Sequence, residues 1–320
     1  MISYSQTLKD ADDIEQFYLD KTGMKPGYLQ LSPGQASLRQ QIIEMNGVTL
    51  IWAHAQGRAR WQDEMTGAGL HLGFVLESEG PIYARGRAID IDDAQIWMPG
   101  KEMELITFGS NHTLEIGIDA KLVETLGWQF EGNPIKKVDQ QNIERLVMIC
   151  RRATAAIQSL ESKAETSMTT ASTISRDDRW RDLILGALEP LLKPWLSVLE
   201  SSELLPANGT SHYRLIRQAD AFLEDLDSDD SFEVGRLAHS LGVPRRTIFH
   251  AYRKLLGVGP REYYELRRLH TLRSRLKRGS PSDTTVTEIA MALGFGDLGR
   301  MAGRYKRQFG ESPSQTLRQV

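Results

Sequence analysis

Four arginines of the first hundred residues stand in two short pairs. Arg58 and Arg60 lie in Gly57-Arg58-Ala59-Arg60-Trp61, and Arg85 and Arg87 in Ala84-Arg85-Gly86-Arg87-Ala88. On extended chain, residues i and i+2 project from one face, and the Gly and Ala neighbours leave those faces uncrowded. Guanidinium groups grip carboxylates and phosphates bidentately and stack on bases. The two pairs are therefore candidate contacts for an anionic small-molecule effector, a cyclic dinucleotide being one that would use both properties. The competing reading is exposed strand arginines that balance Asp90, Asp92 and Asp93. A different chemistry is offered near the other end of the chain, in Arg245-Arg246-Thr247-Ile248-Phe249-His250-Ala251-Tyr252-Arg253-Lys254. Arginine takes both acceptors of a guanine edge, and an apolar side chain meets the methyl of thymine.

Catalytic and metal chemistry find less support. Gly67-Ala68-Gly69-Leu70-His71-Leu72-Gly73 lacks the six-residue spacing of a dinucleotide fingerprint, and no phosphate loop ending in Gly-Lys-Ser/Thr is present. His54, His71 and His112 are scattered over strand-like runs without His-x-His spacing, so no metal and no cofactor is expected. No nucleophile, histidine and acid can be grouped, so the chain does not read as an enzyme. Its one cysteine, Cys150, excludes an intramolecular disulfide. The first residues have neither a basic nor an apolar stretch, and no apolar run reaches the ~20 residues of a membrane span, so a cytoplasmic protein without membrane contact is expected.

The elements that would carry these residues fall into two kinds. Asp12–Asp20 suits a short helix. From Leu38 onward, strand-like runs follow one another: 39–45, 48–53, 57–61, 70–76, 81–89, 94–98, 102–108 and 113–118. Asn46-Gly47 between the first two is a strong hairpin signal, because both residues tolerate positive φ. Many short strands at close spacing predict a barrel-like or sandwich-like domain. Residues 139–160 then read as a helix with an apolar seam at Ile143, Leu146, Cys150 and Ile157. That seam either packs on its own domain or makes a homodimer. Residues 161–175 are small and polar, like a linker. Arg179–Glu200 reads as a helix interrupted by Pro190 and Pro194, and Ser211–Leu226 as an amphipathic helix closed by an acidic run, 225–230.

The net charge of −3 conceals an asymmetry. Residues 1–230 hold 22 Lys and Arg against 35 Asp and Glu, and residues 231–320 hold 17 against 7. An acidic body with a basic C-terminal part points to nucleic acid. Within that part, Val234–Leu241, Gly242-Val243 and Arg245–Leu256 make two short helices across a glycine turn, ending at Gly257. The pattern returns in Val286–Leu293, Gly294-Phe295 and Asp297–Phe309, ending at Gly310. A basic helix over 260–278 between the units spans ~27 Å at ~1.5 Å per residue, near the ~34 Å that separates successive major-groove faces of DNA.

These residues resemble the DNA-binding domain of the AraC-type transcriptional regulators. The resemblance is carried by Leu237-Ala238 through Gly242-Val243, Arg246-Thr247-Ile248, Gly257-Val258-Gly259-Pro260, Arg267-Arg268-Leu269, Ile289-Ala290 through Gly294-Phe295, and Tyr305–Ser314. The second unit looks closer to the ethanolamine-regulator branch than to the sugar regulators. The resemblance implies seven C-terminal helices, with a β-rich regulatory domain before them. The expected architecture is a β-rich effector-sensing or dimerisation domain over 1–160, a linker and helical connector over 161–210, and an all-α double helix-turn-helix domain over 211–320, with units at 232–257 and 286–310. By position, Arg246, Phe249 and His250 would read bases. Arg245, Arg253 and Lys254 would hold phosphates, joined by Arg300, Arg304, Lys306 and Arg307 of the second unit. The base-facing positions of that unit, Leu298, Gly299, Ala302 and Gly303, carry no side-chain hydrogen-bonding group. The expected function is transcriptional control, most simply activation, with promoter DNA, RNA polymerase and a small-molecule effector as partners. The alternative is a ligand-independent DNA binder whose first domain only dimerises or docks a protein.

Overall fold

The computed structural model describes residues 2–9, 11–22, 24–34, 37–65, 69–97, 100, 102–130, 134–164, 171–196, 210–226 and 232–318. Its strands are β1 (Ile2–Leu8), β2 (Met24–Gln30), β3 (Ser37–Met45), β4 (Val48–Gln56), β5 (Ala59–Met65), β6 (Leu70–Ser78), β7 (Ile82–Ala84), β8 (Arg87–Ile89), β9 (Asp93–Trp97), β10 (Glu102–Thr107), β11 (Asn111–Ile118) and β12 (Ile135–Lys137). The helices are α1 (Ala11–Thr22), α2 (Ala120–Thr125), α3 (Gln140–Ala164), α4 (Ala171–Leu196), α5 (Ser211–Glu224), α6 (Val234–Ser240), α7 (Arg245–Leu256), α8 (Pro260–Arg278), α9 (Val286–Ala292), α10 (Leu298–Phe309) and α11 (Pro313–Arg318). Helices α5 to α11 are the seven that the family resemblance implies.

The strands form two antiparallel sheets. One has seven strands in the order β1-β3-β4-β11-β6-β9-β12, and the other five in the order β2-β5-β10-β7-β8. The Asn46-Gly47 hairpin closes as expected: Met45 pairs with Val48, and Gly47 takes φ +78°. Strand alternation sends one set of side chains to each face. Ile43, Leu50, Leu72, Leu114 and Ile116 face outward from the large sheet, while Ile42, Ile51 and Val75 face the small one.

Four layers result. The outer face of the large sheet is covered by α3 and α4, the two sheets pack on each other, and the outer face of the small sheet packs on α5, α7 and α8. A fourth hydrophobic cluster, built from α8 to α11, is separate from these three cores. One open alternative narrows here and one expectation changes. The α3 seam of Ile143, Leu146, Cys150 and Ile157 is at most 5% exposed and packs on its own sheet, so these residues are not available to a second copy. Burial pushes the Cys150 thiol up to about 12. Helix α4 runs through Pro190 and Pro194 without a break and contributes Ile184, Leu188, Leu191 and Trp195 to the same core. It is thus a layer of the first domain rather than a connector. Of the expected linker and connector, 165–170 and 197–209 lie outside the described residues, as does 227–230 of the acidic run.

Candidate nucleic-acid interface

Helix α7 is positioned by its apolar side. Ile248, Ala251, Tyr252, Leu255 and Leu256 are buried against α5, α6 and α8. Pro244 precedes the first turn, and Gly257, at φ +68°, ends the helix in the left-handed conformation. The opposite stripe, Arg246, Phe249, His250 and Arg253, recurs at i, i+3, i+4 and i+7 and is exposed throughout. Phe249 is 45% exposed, so it is not a core residue. Arg245 and Lys254 flank the stripe, Arg245 lying against Gly235 of α6.

Helix α10 repeats this construction. Asp297 caps its start by accepting from Arg300 N at 2.9 Å, and Gly310 ends it at φ +79°. Met301, Tyr305 and Phe309 are buried. The stripe equivalent to that of α7 is Gly299, Ala302, Gly303 and Lys306. A Cβ built on Gly303 meets nothing within 4 Å, and one on Gly299 meets only Asp297 at 3.6 Å. Arg300, Lys306 and Arg307 are exposed. Arg304 differs: its guanidinium pairs with Glu265 of α8, so it ties the second unit to the central helix. Arg268 does the same from the other side, donating to Leu293 O at 2.6 Å and stacking on Phe295.

The four N-terminal arginines do not assemble into an anion clamp. Arg85 and Gly86, at φ +50° and +78°, are the two-residue turn between β7 and β8, where Ala84 pairs with Arg87. Arg85 and Arg87 therefore lack the shared strand face that i, i+2 spacing implies. Arg87 bonds to Asp93 at 2.9 Å. Arg58 donates to Gly257 O at 3.2 Å, at the C-terminal end of α7. Arg60 is fully buried between the domains. It pairs with Glu104 of β10 at 2.6 Å and Asp220 of α5 at 2.7 Å, and bonds the Tyr263 hydroxyl of α8. Asp220 also accepts from Tyr263 at 2.9 Å and from Arg267 at 2.9 Å. Burial opposes the charge on Arg60, yet Glu104, Tyr263 and Asp220 outweigh it and hold the guanidinium ionised. The pairs are thus partners of the protein itself.

The space between the sheets offers another place for a ligand. A cavity of about 70 Å³ is lined from the large sheet by Ala55, His71, Gln95, Trp97, Asn111 and Glu115, and from the small sheet by Trp61, Leu105 and Thr107. His71 Nδ1, Gln95 Oε1, Trp97 Nε1 and Asn111 Nδ2 are buried without a hydrogen-bond partner among the described residues. A buried polar atom left unsatisfied costs roughly 1–3 kcal/mol, so a cavity of this size suits a few ordered waters or a ligand of only a few heavy atoms with both donors and acceptors. Periodicity does not reveal such a site, because its residues come from eight strands and α1. The small sheet separates this cavity from the helices. On β5, Trp61 lines the cavity and Arg60 faces α5 and α8. On β10, Leu105 and Thr107 line it, while Glu104 and Ile106 face the helices.

A family profile described as a helix-turn-helix domain matches residues 237–319. A probable thc operon regulatory protein of Rhodococcus erythropolis is 33% identical over 145 residues, 42% of this chain and 43% of that protein. The XylDLEGF operon transcriptional activator of Pseudomonas putida is 34% identical over 134 residues, 42% of this chain and 40% of that protein. The chain thus spans well under half the length of these curated relatives. Among solved structures, a probable AraC family transcriptional regulator from Rhodopseudomonas palustris is 32% identical, covering 32% of this chain and 94% of that one, with a TM-score of 0.29. With its paired helix-turn-helix units, its basic exposed stripe on α7 and this match over 237–319, the C-terminal region is a helix-turn-helix domain of the AraC family.

Proposed function

We propose that the chain is a sequence-specific DNA-binding transcriptional activator whose first domain senses a small molecule. The observation that carries this reading is the small sheet, with an unsatisfied polar cavity on one face and the DNA-binding helices on the other. Helix α7 reads base edges through Arg246, Phe249 and His250. Arg245, Arg253 and Lys254 hold phosphates, and α10 anchors on the backbone through Arg300, Lys306 and Arg307. The effector lies in the cavity between the sheets rather than on the paired arginines. A cavity of this size excludes a cyclic dinucleotide and fits a compact polar molecule. Its binding would shift Trp61, Leu105 or Thr107 and so move the strands that carry Arg60 and Glu104. Promoter DNA and RNA polymerase are the macromolecular partners, in the cytoplasm; a homodimer, if formed, uses a surface other than the buried α3 seam.

The test is a thermal-shift screen of compact polar compounds on the full chain, followed by DNA-binding titrations with any hit. Ala55→Leu fills the cavity from a half-buried strand position. It is expected to abolish the ligand-induced shift while leaving DNA binding in the absence of ligand intact. A hit that stabilises wild type and Ala55→Leu equally would move the effector site elsewhere. No hit from a broad panel, with DNA binding intact, would favour the ligand-independent alternative.

The glycine stripe of α10 gives a second test. Glycine inside a helix costs about 1 kcal/mol relative to alanine, and nothing near Gly303 requires it sterically. If the stripe permits close approach to the sugar-phosphate backbone, Gly303→Ala raises the melting temperature and weakens DNA binding together. Higher stability with undiminished affinity would remove Gly303 from the interface.

A further inference from the structure

The two recognition helices belong to separate hydrophobic cores. Helix α8 joins them, giving Tyr263 and Leu266 to the first and Leu269, Leu272 and Leu276 to the second. A single helix fixes distance along its axis well, and bending and twist about that axis less well. The structure contains a second tie, made by the first domain.

Two segments of that domain are bonded to each other at the edge of the small sheet. Leu31 N and Ser32 N donate to Arg58 O at 2.8 and 3.1 Å, and Arg58 N donates to Ser32 Oγ at 3.0 Å. From this joined loop, the Arg58 guanidinium reaches Gly257 O at the end of α7. A cation there also meets the negative end of the helix dipole. The other side of the loop reaches the end of α10. Gly34 N lies 3.2 and 3.1 Å from the carbonyls of Arg307 and Gln308, which have no later helical N–H to serve them. The buried Gln308 side chain donates to Gln30 O at 3.0 Å and Ser32 O at 3.1 Å, and His270 of α8 meets the same Gln30 carbonyl at 3.2 Å. One loop of the first domain thus holds the C-terminal ends of both recognition helices and the helix between them. It leaves the exposed Arg246 stripe uncovered.

We infer that residues 30–34 with Arg58 form a positioning clamp that sets the separation and angle of the two recognition helices, and hence the spacing of DNA subsites the protein accepts. Gln308, Arg58 and Gln30 are positioning residues, acting through the helix ends rather than by touching DNA. The inference rests on the DNA-binding reading above. It assigns the first domain a part in sequence selection that needs no effector.

The test uses the full chain. Wild type selects its preferred duplex from a random pool. Duplexes are then made with one or two base pairs inserted between the protected subsites, each insertion rotating the second subsite by about 35°. A truncated duplex keeps the first subsite alone. Wild type is expected to lose about tenfold or more in affinity on a one-base-pair insertion, the scale on which a misplaced contact is felt. Gln308→Ala and Arg58→Ala are expected to reduce that penalty to about threefold or less, with unchanged affinity for the truncated duplex. A general folding defect would lower binding to every duplex alike and leave the spacing penalty in place. Retention of the full penalty in both variants, or equal loss on all duplexes, overturns the clamp. Failure of wild type to select any sequence overturns the DNA-reading function, and the clamp with it.

Discussion

Replacing Arg60 with methionine is expected to cost about 3–5 kcal/mol of folding stability at neutral pH, the range seen when one partner of a buried ion pair is removed. Methionine keeps much of the length and apolar stem of the side chain, so the loss is one of charge. Arg60 is fully buried, and Glu104 and Asp220 are 2% and 5% exposed. Without the guanidinium, two carboxylates face each other in a site that water does not reach, with Arg267 and the Tyr263 hydroxyl still held by Asp220. Burial already pushes the Glu104 carboxyl upward, and Arg60 opposes it. The variant should push it further. A carboxyl with a folded-state pKa above its unfolded value penalises folding once pH exceeds the unfolded value, and the penalty grows until the folded value is passed. The deficit of Arg60→Met should therefore shrink as pH falls toward about 4.5, near the ordinary carboxylate range. Denaturant titrations of wild type and variant at the two pH values measure this. Adding Glu104→Gln to Arg60→Met should recover part of the loss at neutral pH. A double variant as unstable as the single, with no pH dependence in either, would mean the cluster is held by packing rather than by charge.

The role of Arg60 was beyond the reach of the sequence for a physical reason. Its spacing from Arg58 correctly implies an outward face on a strand-like run. What covers that face is decided by Asp220 and Tyr263, 160 and 203 positions along the chain, and no local pattern encodes that. The same applies to Gln30 and Gln308, whose bonds join residues 278 apart. Arg85 and Arg87 misled differently: Arg85-Gly86 adopts the positive-φ pair of a tight hairpin, a signal usually supplied by Asn-Gly or Asp-Gly. By contrast, the helix-turn-helix units depend on contacts close in sequence. Leu237-Ala238, the Gly242 turn and the Gly257 cap lie within about two dozen residues, so the pattern is read directly. The α3 seam was legible as an apolar stripe, but a stripe does not name its partner; here the partner is the large sheet.

Arg246→Ala and Arg300→Ala are expected to fail in different ways, and the difference tests the division of labour between the two recognition helices. Arg246 stands near the start of α7, on the exposed stripe with Phe249 and His250. A guanidinium there that takes both acceptors of a guanine contributes about 1–3 kcal/mol of discrimination against other bases. Its loss should bring affinities for the selected site and for single-base variants at one position together, while binding to unrelated DNA changes little. Arg300 lies on α10, whose corresponding stripe offers Gly299, Ala302 and Gly303 where α7 has Arg246, Phe249 and His250, with Lys306 in the place of Arg253. In the proposed division of labour, Arg300 supplies charge to phosphates. Its loss should weaken binding to all sequences by a similar factor and reduce the salt slope by about one phosphate contact. Arg304, already paired with Glu265, should change the salt slope less than Arg300. Titrations of the three variants against matched and mismatched duplexes at several salt concentrations separate these outcomes. Equal loss of base discrimination from Arg246→Ala and Arg300→Ala would show that both helices read sequence, and the glycine stripe would then need another explanation.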